Sequence, residues 1–187
     1  MKKNKLPAQL LLGPVPAAMI GCGNGEINNI ITLAWVGVVN SNPPLLSIAV
    51  RPGRYSHDLI RNSGEFTVNI PSVEQVAEAD GCGTLSGRDT NKFERYGLTA
   101  VKGTLLCAPM IEECPVSMEC LVEQTLSLGS HTLFIGRVVA SYLTENITDA
   151  RGKIDFEKSR LLGFYSGNYL ETVPLNLTLG YTLKKSD

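Results

Sequence analysis

Asn29-Ile30-Ile31-Thr32-Leu33-Ala34-Trp35-Val36-Gly37-Val38-Val39 is dense in β-branched residues, carries an indole and lacks proline, the composition of a strand. Polar and small groups punctuate it. Asn29 and Thr32 bring short hydrogen-bonding side chains, and Ala34 sits beside Trp35. Such a strand can present backbone amides to a flat ligand, with Asn29 and Thr32 suited to a heteroaromatic edge or a phosphate. The same residues also describe an ordinary strand with Trp35 in a core.

Outward from this stretch the same signal recurs at 17–21, 45–50, 65–70, 116–124 and 132–142. In the fifth of these six strands Val116, Met118, Cys120 and Val122 alternate with Ser117, Glu119, Leu121 and Glu123, which predicts a sheet wet on one face. Gly23-Asn24-Gly25 and Leu128-Gly129-Ser130 supply turn chemistry. Helices are few and short. Ser56 is placed to cap one that Gly64 ends. Ser72 with Gln75 forms a capping box for a second that stops near Gly81, and a third fits 91–96, closed by Gly97. Many strands with short helices between them predict a mainly β barrel or sandwich.

The 187 residues, 43% hydrophobic and 19% charged, suit one packed domain, and a formal net charge of −1 exerts no long-range pull on nucleic acid or anionic lipid. Lys2, Lys3 and Lys5 precede Leu10-Leu11-Leu12, but Pro7, Gln9, Gly13 and Pro14 interrupt any signal-like apolar run. The lysine pair at 184–185 reads as a solvated end. Cys22, Cys82, Cys107, Cys114 and Cys120 are odd in number with no Cys-x-x-Cys spacing, the pattern of reduced thiols in a cytoplasmic protein. His57 and His131 have no companions at metal-ligand spacing, so no metal site is expected.

Two further segments carry anion chemistry. In Ser47-Ile48-Ala49-Val50-Arg51-Pro52-Gly53-Arg54-Tyr55-Ser56-His57 a strand turns into a helix start, bringing Arg51, Arg54, the Ser56 hydroxyl and unpaired amides together. Ser86-Gly87-Arg88-Asp89-Thr90-Asn91-Lys92 adds a turn with accessible amides and a lysine on the following helix. A dinucleotide fingerprint, a P-loop and a nucleophile elbow are missing.

Taken in order, these segments resemble the flavin reductase-like group of FMN-binding split barrels, which includes the flavoredoxins. The resemblance runs from Pro16 and Asn29-x-x-Thr32-x-Ala34-Trp35 through Asn42-Pro43-Pro44, Arg54-Tyr55-Ser56 and Gly64-Glu65-Phe66-x-Val68-Asn69-Ile70-Pro71. It continues through Cys82-Gly83-x-x-Ser86-Gly87-Arg88-Asp89, Lys92-Phe93, Glu113-Cys114-Pro115, Gly129-Ser130-His131 and Leu133-Phe134-Ile135-Gly136, covering about residues 16–169 and leaving a tail at 170–187. It implies a six-stranded antiparallel split β-barrel of Greek-key type, forming a homodimer with FMN near the subunit interface. It implies also that the strand 29–35, with Asn29, Thr32, Leu33, Ala34 and Trp35, lines the isoalloxazine. Arg54 and Ser56 would bind the phosphate, with Ser86 and Lys92 assisting, and Ala49, Arg51, His57 and Gly87 are further cofactor-binding candidates. Asn69, Cys82 and Gly83 would stand near the ring or ribityl chain, and His131 on its partner-facing side. Arg137 stands where the family often has an acidic residue, which bears on the electron partner or dimer contacts.

The resemblance further implies an oxidoreductase in which reduced nicotinamide (NADH or NADPH) or a redox protein supplies electrons to FMN, and FMN passes them to an acceptor. No side-chain nucleophile is required of such a protein. Two other readings stand beside it: a carrier that binds FMN without turnover, and an OB-like barrel for nucleic acid. The second needs a basic groove with exposed aromatics, in a chain only 6% aromatic.

Overall fold

A computed structural model describes residues 2–104, 106–175 and 177–183; the lysine pair at 184–185 lies outside them. In chain order the elements are β1 (Val15–Pro16), β2 (Ala18–Gly23), β3 (Asn28–Leu33), β4 (Val36–Ser41) and β5 (Pro44–Val50). These are followed by α1 (Tyr55–Ser63), β6 (Glu65–Ile70), α2 (Val76–Thr84) and α3 (Lys92–Tyr96). The remainder is β7 (Ala100–Lys102), β8 (Pro109–Ile111), β9 (Val116–Ser127), β10 (Thr132–Leu143), α4 (Phe156–Ser159), β11 (Leu162–Tyr165) and β12 (Asn168–Glu171).

One antiparallel sheet dominates, in the order β3-β2-β6-β9-β10-β5-β4. It holds the six strands expected, counted as seven because the stretch 29–39 is two strands and not one. The ladder of β3 ends at Leu33, Ala34-Trp35 intervene, and β4 begins at Val36 on the opposite edge. Laid flat, seven strands would hold those edges about 29 Å apart. The connection from Leu33 to Val36 spans at most about 11 Å. The sheet therefore has to curl until its two edges meet, and the Trp35 carbonyl, accepting from the Ala49 amide at 3.0 Å, extends the β4–β5 pairing back into that connection. The barrel is split there.

Period-2 alternation sorts the side chains. Ala18, Ile20, Cys22 and Ile31 join Ile48, Phe66 and Phe134 in one core cluster. Their neighbours Met19 and Ile30 face the other way and pack with Ala79, Cys82, Phe93 and Leu162 in a second cluster. All of β2 is thereby buried, covered on one face by α2 and α3. The wet face expected for β9 is dry at its start. Ser117 and Glu119 are buried, and the Glu119 carboxylate accepts from the amides of Thr104 and Leu106 and from the Tyr142 hydroxyl. Segments around the β7–β8 pair cover that face, and charge-assisted hydrogen bonds compensate the carboxylate for lost water.

The expected helix signals divide in outcome. Gly64 (φ 71°) and Gly97 (φ 62°) close α1 and α3 in the left-handed conformation, and the Ser72–Gln75 box is formed at the short 3-10 turn leading into α2. Ser56 is not a cap: the cap position is Arg54, two residues earlier, with no side-chain cap. Gly81 does not end α2, which runs to Thr84. Its glycine instead lets Tyr96 approach, since a Cβ there would lie 1.7 Å from the tyrosine hydroxyl.

Candidate functional site

At the seam between β3 and β4 a cavity of about 240 Å³ opens, walled by Thr32, Leu33, Ala34, Trp35, Ala49 and Gly83 together with Arg51, Arg54 and His131. A second cavity of about 120 Å³ lies where α1 begins, against Ser56, Ser86, Gly87, Arg88 and Lys92. Ile31 and Arg54 line both, so the two form one cleft.

The smaller cavity gathers groups that suit an anion. The missing side-chain cap leaves the first amides of α1 to the cavity that Tyr55 and Ser56 line, at the positive end of the helix dipole. Ser56 is buried, and its hydroxyl oxygen accepts from Asn29 Nδ2 at 2.8 Å. That bond occupies an acceptor position of the hydroxyl and leaves its own proton to be donated. Asn29 thus acts from behind Ser56 without lining the cavity. Gly87 permits the approach of the opposite loop, since a Cβ at this position would lie 2.0 Å from Asn29 Oδ1. Among the described residues Arg51 and Arg54 pair with no carboxylate, and no Asp or Glu lines either cavity.

Lys92 occupies this end differently from the expectation of a lysine reaching up from a helix. Its buried ammonium donates to the carbonyls of Ile30 at 2.6 Å and Cys82 at 2.7 Å. Two of three donors are thus spent on joining α2 and α3 to β3, and one is left for the cavity floor. Burial depresses its pKa, with the thiols of Cys82 and Cys22 pulling the other way.

At the larger cavity Thr32 Oγ1 is buried with no hydrogen-bond partner among the described residues. An orphaned buried hydroxyl costs roughly 1–3 kcal/mol unless a ligand satisfies it. Gly83 brings α2 against the same residue, a Cβ there falling 3.3 Å from Thr32 Cβ. Trp35 is half exposed and not a core residue. It stacks on His131 with ring centroids 4.1 Å apart, and the pair forms an aromatic wall at the open side. Burial, then Arg51, lowers the His131 pKa, so the ring is neutral at neutral pH.

Besides Asn29, three expected residues are not in the cleft. Asn69 is fully buried on β6, donating to the Met19 carbonyl and Thr67 Oγ1 and accepting from the Ile111 amide and the Ser117 hydroxyl. His57 faces the body of the barrel, with Nε2 3.0 Å from Thr132 Oγ1 and its ring edge on Phe134. The Cys82 side chain packs into the second core cluster, its thiol pKa pushed up to about 11 by burial, and only its carbonyl serves the site through Lys92. Conversely, Arg88 joins the cleft from within the third segment, its guanidinium donating to the Gly53 carbonyl at 3.1 Å and lying over the Tyr55 ring. Ile31 joins as well, hidden in the sequence by its place in an ordinary apolar run. Arg137, at the position that departs from the family pattern, pairs with Glu123 at 2.8 Å.

The sequence model of the flavin reductase like domain matches residues 13–172. The chain belongs to the flavin reductase-like family. Flavoredoxin of Desulfovibrio vulgaris (Miyazaki F) superposes with a TM-score of 0.91 at 30% identity, over 98% of this chain and 100% of that one. Flavoredoxin from Methanosarcina acetivorans gives 0.88 at 30% identity with the same coverage. An uncharacterised protein of Archaeoglobus fulgidus is 35% identical over 132 residues, 71% of this chain and 75% of its own length. The family match and the split-barrel fold differ from the OB-like barrel of the alternative reading. Among the described residues no helix is long and apolar enough to cross a membrane.

Proposed function

We propose that this chain is an FMN-dependent oxidoreductase that takes electrons from reduced nicotinamide or a redox protein and delivers them to an acceptor. One observation carries the reading. A single cleft joins a cationic, carboxylate-free end at an uncapped helix start to an end where a buried hydroxyl lacks a partner. The first end suits a terminal phosphate and the second the polar edge of a heteroaromatic ring.

In this reading Arg54, Ser56 and the first amides of α1 hold the phosphate, with Arg88 and Ser86 at its flank and Lys92 beneath. Thr32 and the backbone of the β3–β4 seam hold the ring edge. Trp35 and His131 limit water at the open side, and Arg51 places positive charge where electron density grows on reduction. Bound flavin supplies the two-electron redox chemistry itself. The protein's part is position, charge and exclusion of water.

We propose further that the chain folds as one domain, works in the cytoplasm and forms a homodimer. All five cysteines are free thiols, which suits a reducing compartment. Leu175 and Leu179 are exposed, apolar surface of the kind a second copy would cover.

Absorbance of the purified protein near 450 nm, roughly where flavins absorb, and mass spectrometry of the released ligand test the cofactor. FMN at one per chain is expected. Stopped-flow mixing with NADH and NADPH then tests turnover: bleaching by either supports the oxidoreductase, whereas a flavin that stays oxidised with both identifies a carrier.

A further inference from the structure

A third cavity, about 510 Å³ in volume, is also lined by Trp35. Ala34, Trp35 and Ala49 line both it and the ring cavity, so the two spaces share a wall three residues wide. Its character is opposite to that of the cleft. Leu10, Leu12, Val15, Val36, Leu133 and Phe164 are among the residues that line it, and among the described residues no charged one does.

Polar groups there are few and partly committed. Ser47 Oγ donates to the Gly37 carbonyl at 3.4 Å, and the Tyr165 hydroxyl donates to the Leu11 carbonyl at 3.4 Å. The Ser166 hydroxyl and the Trp35 indole N–H are the other polar side-chain groups of the lining residues. One wall is the N-terminal arm, tied down by pairing of β1 with β11, Val15 opposite Phe164. The arm crosses the Tyr165 ring at Gly13, where a Cβ would lie 2.0 Å from a ring carbon. The cavity is therefore a built space and not a chance dimple between loops.

We propose that this cavity receives an uncharged, planar aromatic electron acceptor, of which a p-quinone is the simplest class. The proposal rests on the flavin reading above and adds the acceptor to it. Size and apolar lining match a small-ligand site, and the wall shared with the ring cavity sets such an acceptor within electron-transfer reach of the flavin. An anionic acceptor, or the diphosphate of a nicotinamide dinucleotide, would lose water here and find no cation. The overall reaction balances as NADH + H⁺ + quinone → NAD⁺ + hydroquinone, two electrons and two protons reaching the acceptor.

Calorimetric titration of the FMN-loaded protein with duroquinone tests this, its fully substituted ring leaving no position for thiol addition. FMN affinity, measured separately beforehand, reports on the flavin reading alone. Saturable binding of duroquinone is expected, with a sulfonated naphthoquinone at least tenfold weaker. Leu133→Glu should weaken duroquinone at least tenfold with FMN affinity unchanged. Leu12→Glu, on the exposed arm where folding is not at stake, should do the same. The proposal is overturned if FMN binds but duroquinone does not, or if the sulfonate binds as well, or if both variants bind duroquinone normally. Sedimentation adds a separate refutation: conversion of a dimer to monomers by both variants, with no duroquinone binding to the parent, gives the cavity to a second copy of the chain.

Discussion

Replacing Arg54 with alanine separates the two ends of the cleft. Arg54 lines both cavities, is exposed, and has no carboxylate partner among the described residues, so its removal orphans no protein group. Its backbone at φ −78°, ψ 137° is open to alanine, so α1 keeps its start. What is lost is one charge-assisted contact to a phosphate, worth roughly 1.5–3 kcal/mol when buried and nearer the lower figure at an exposed site. At about 1.4 kcal/mol per decade, FMN affinity should fall about tenfold. Riboflavin, which lacks the phosphate, should bind parent and variant alike, and Tm should not move. Calorimetry with both ligands reads this directly. Equal losses for riboflavin and FMN, or none for FMN, would refute the assignment of the phosphate end. Lys92→Ala is a poorer test, because it strips hydrogen bonds from two carbonyls and should lower Tm whether or not ligand binds.

Gly87→Ala should push the Asn29 amide off Ser56, at a cost of about 1–3 kcal/mol from overpacking. FMN should weaken more than riboflavin, and equal FMN binding in variant and parent would contradict the Asn29–Ser56 arrangement. Thiol titration with a disulfide reagent at mild alkaline pH should find one fast cysteine per native chain, the exposed Cys107, and five after denaturation. Burial pushes Cys22 and Cys82 up to about 11 and Cys120 to about 12, and raises Cys114 as well, so these stay protonated and unreactive. The His131 imidazole, its folded pKa lowered from 6.5, contributes stability fully above that value and loses it as the pH falls toward the folded pKa, because the unfolded chain then binds the proton that the folded chain refuses. His131→Gln should flatten that part of the Tm–pH curve, and an unchanged slope would count against it.

Much of this was legible because local chemistry determined it. Gly64 and Gly97 end helices through a conformation other residues rarely adopt, and β-branched runs became strands. The loops 51–56 and 86–87 stood out by residue type alone, and the fold brings them together at one cavity. The break at Ala34-Trp35 was not legible, because it is a consequence of barrel closure and not of anything those two residues prefer. Polar residues were the second difficulty. Asn69, His57 and Glu119 have ligand-binding chemistry, and each spends it on backbone or side chains that only the tertiary fold brings near. β7, β8, β11 and β12 are too short, at three or four residues each, to show a period.

The most direct measurement is a crystal structure of the chain with FMN. The account places the phosphate at hydrogen-bonding distance of Ser56 Oγ, the Arg54 guanidinium and an amide of the first turn of α1, with a polar atom of the ring meeting Thr32 Oγ1. Density for FMN at another surface, or a ring seated at the seam with its phosphate pointing away from α1, would contradict it.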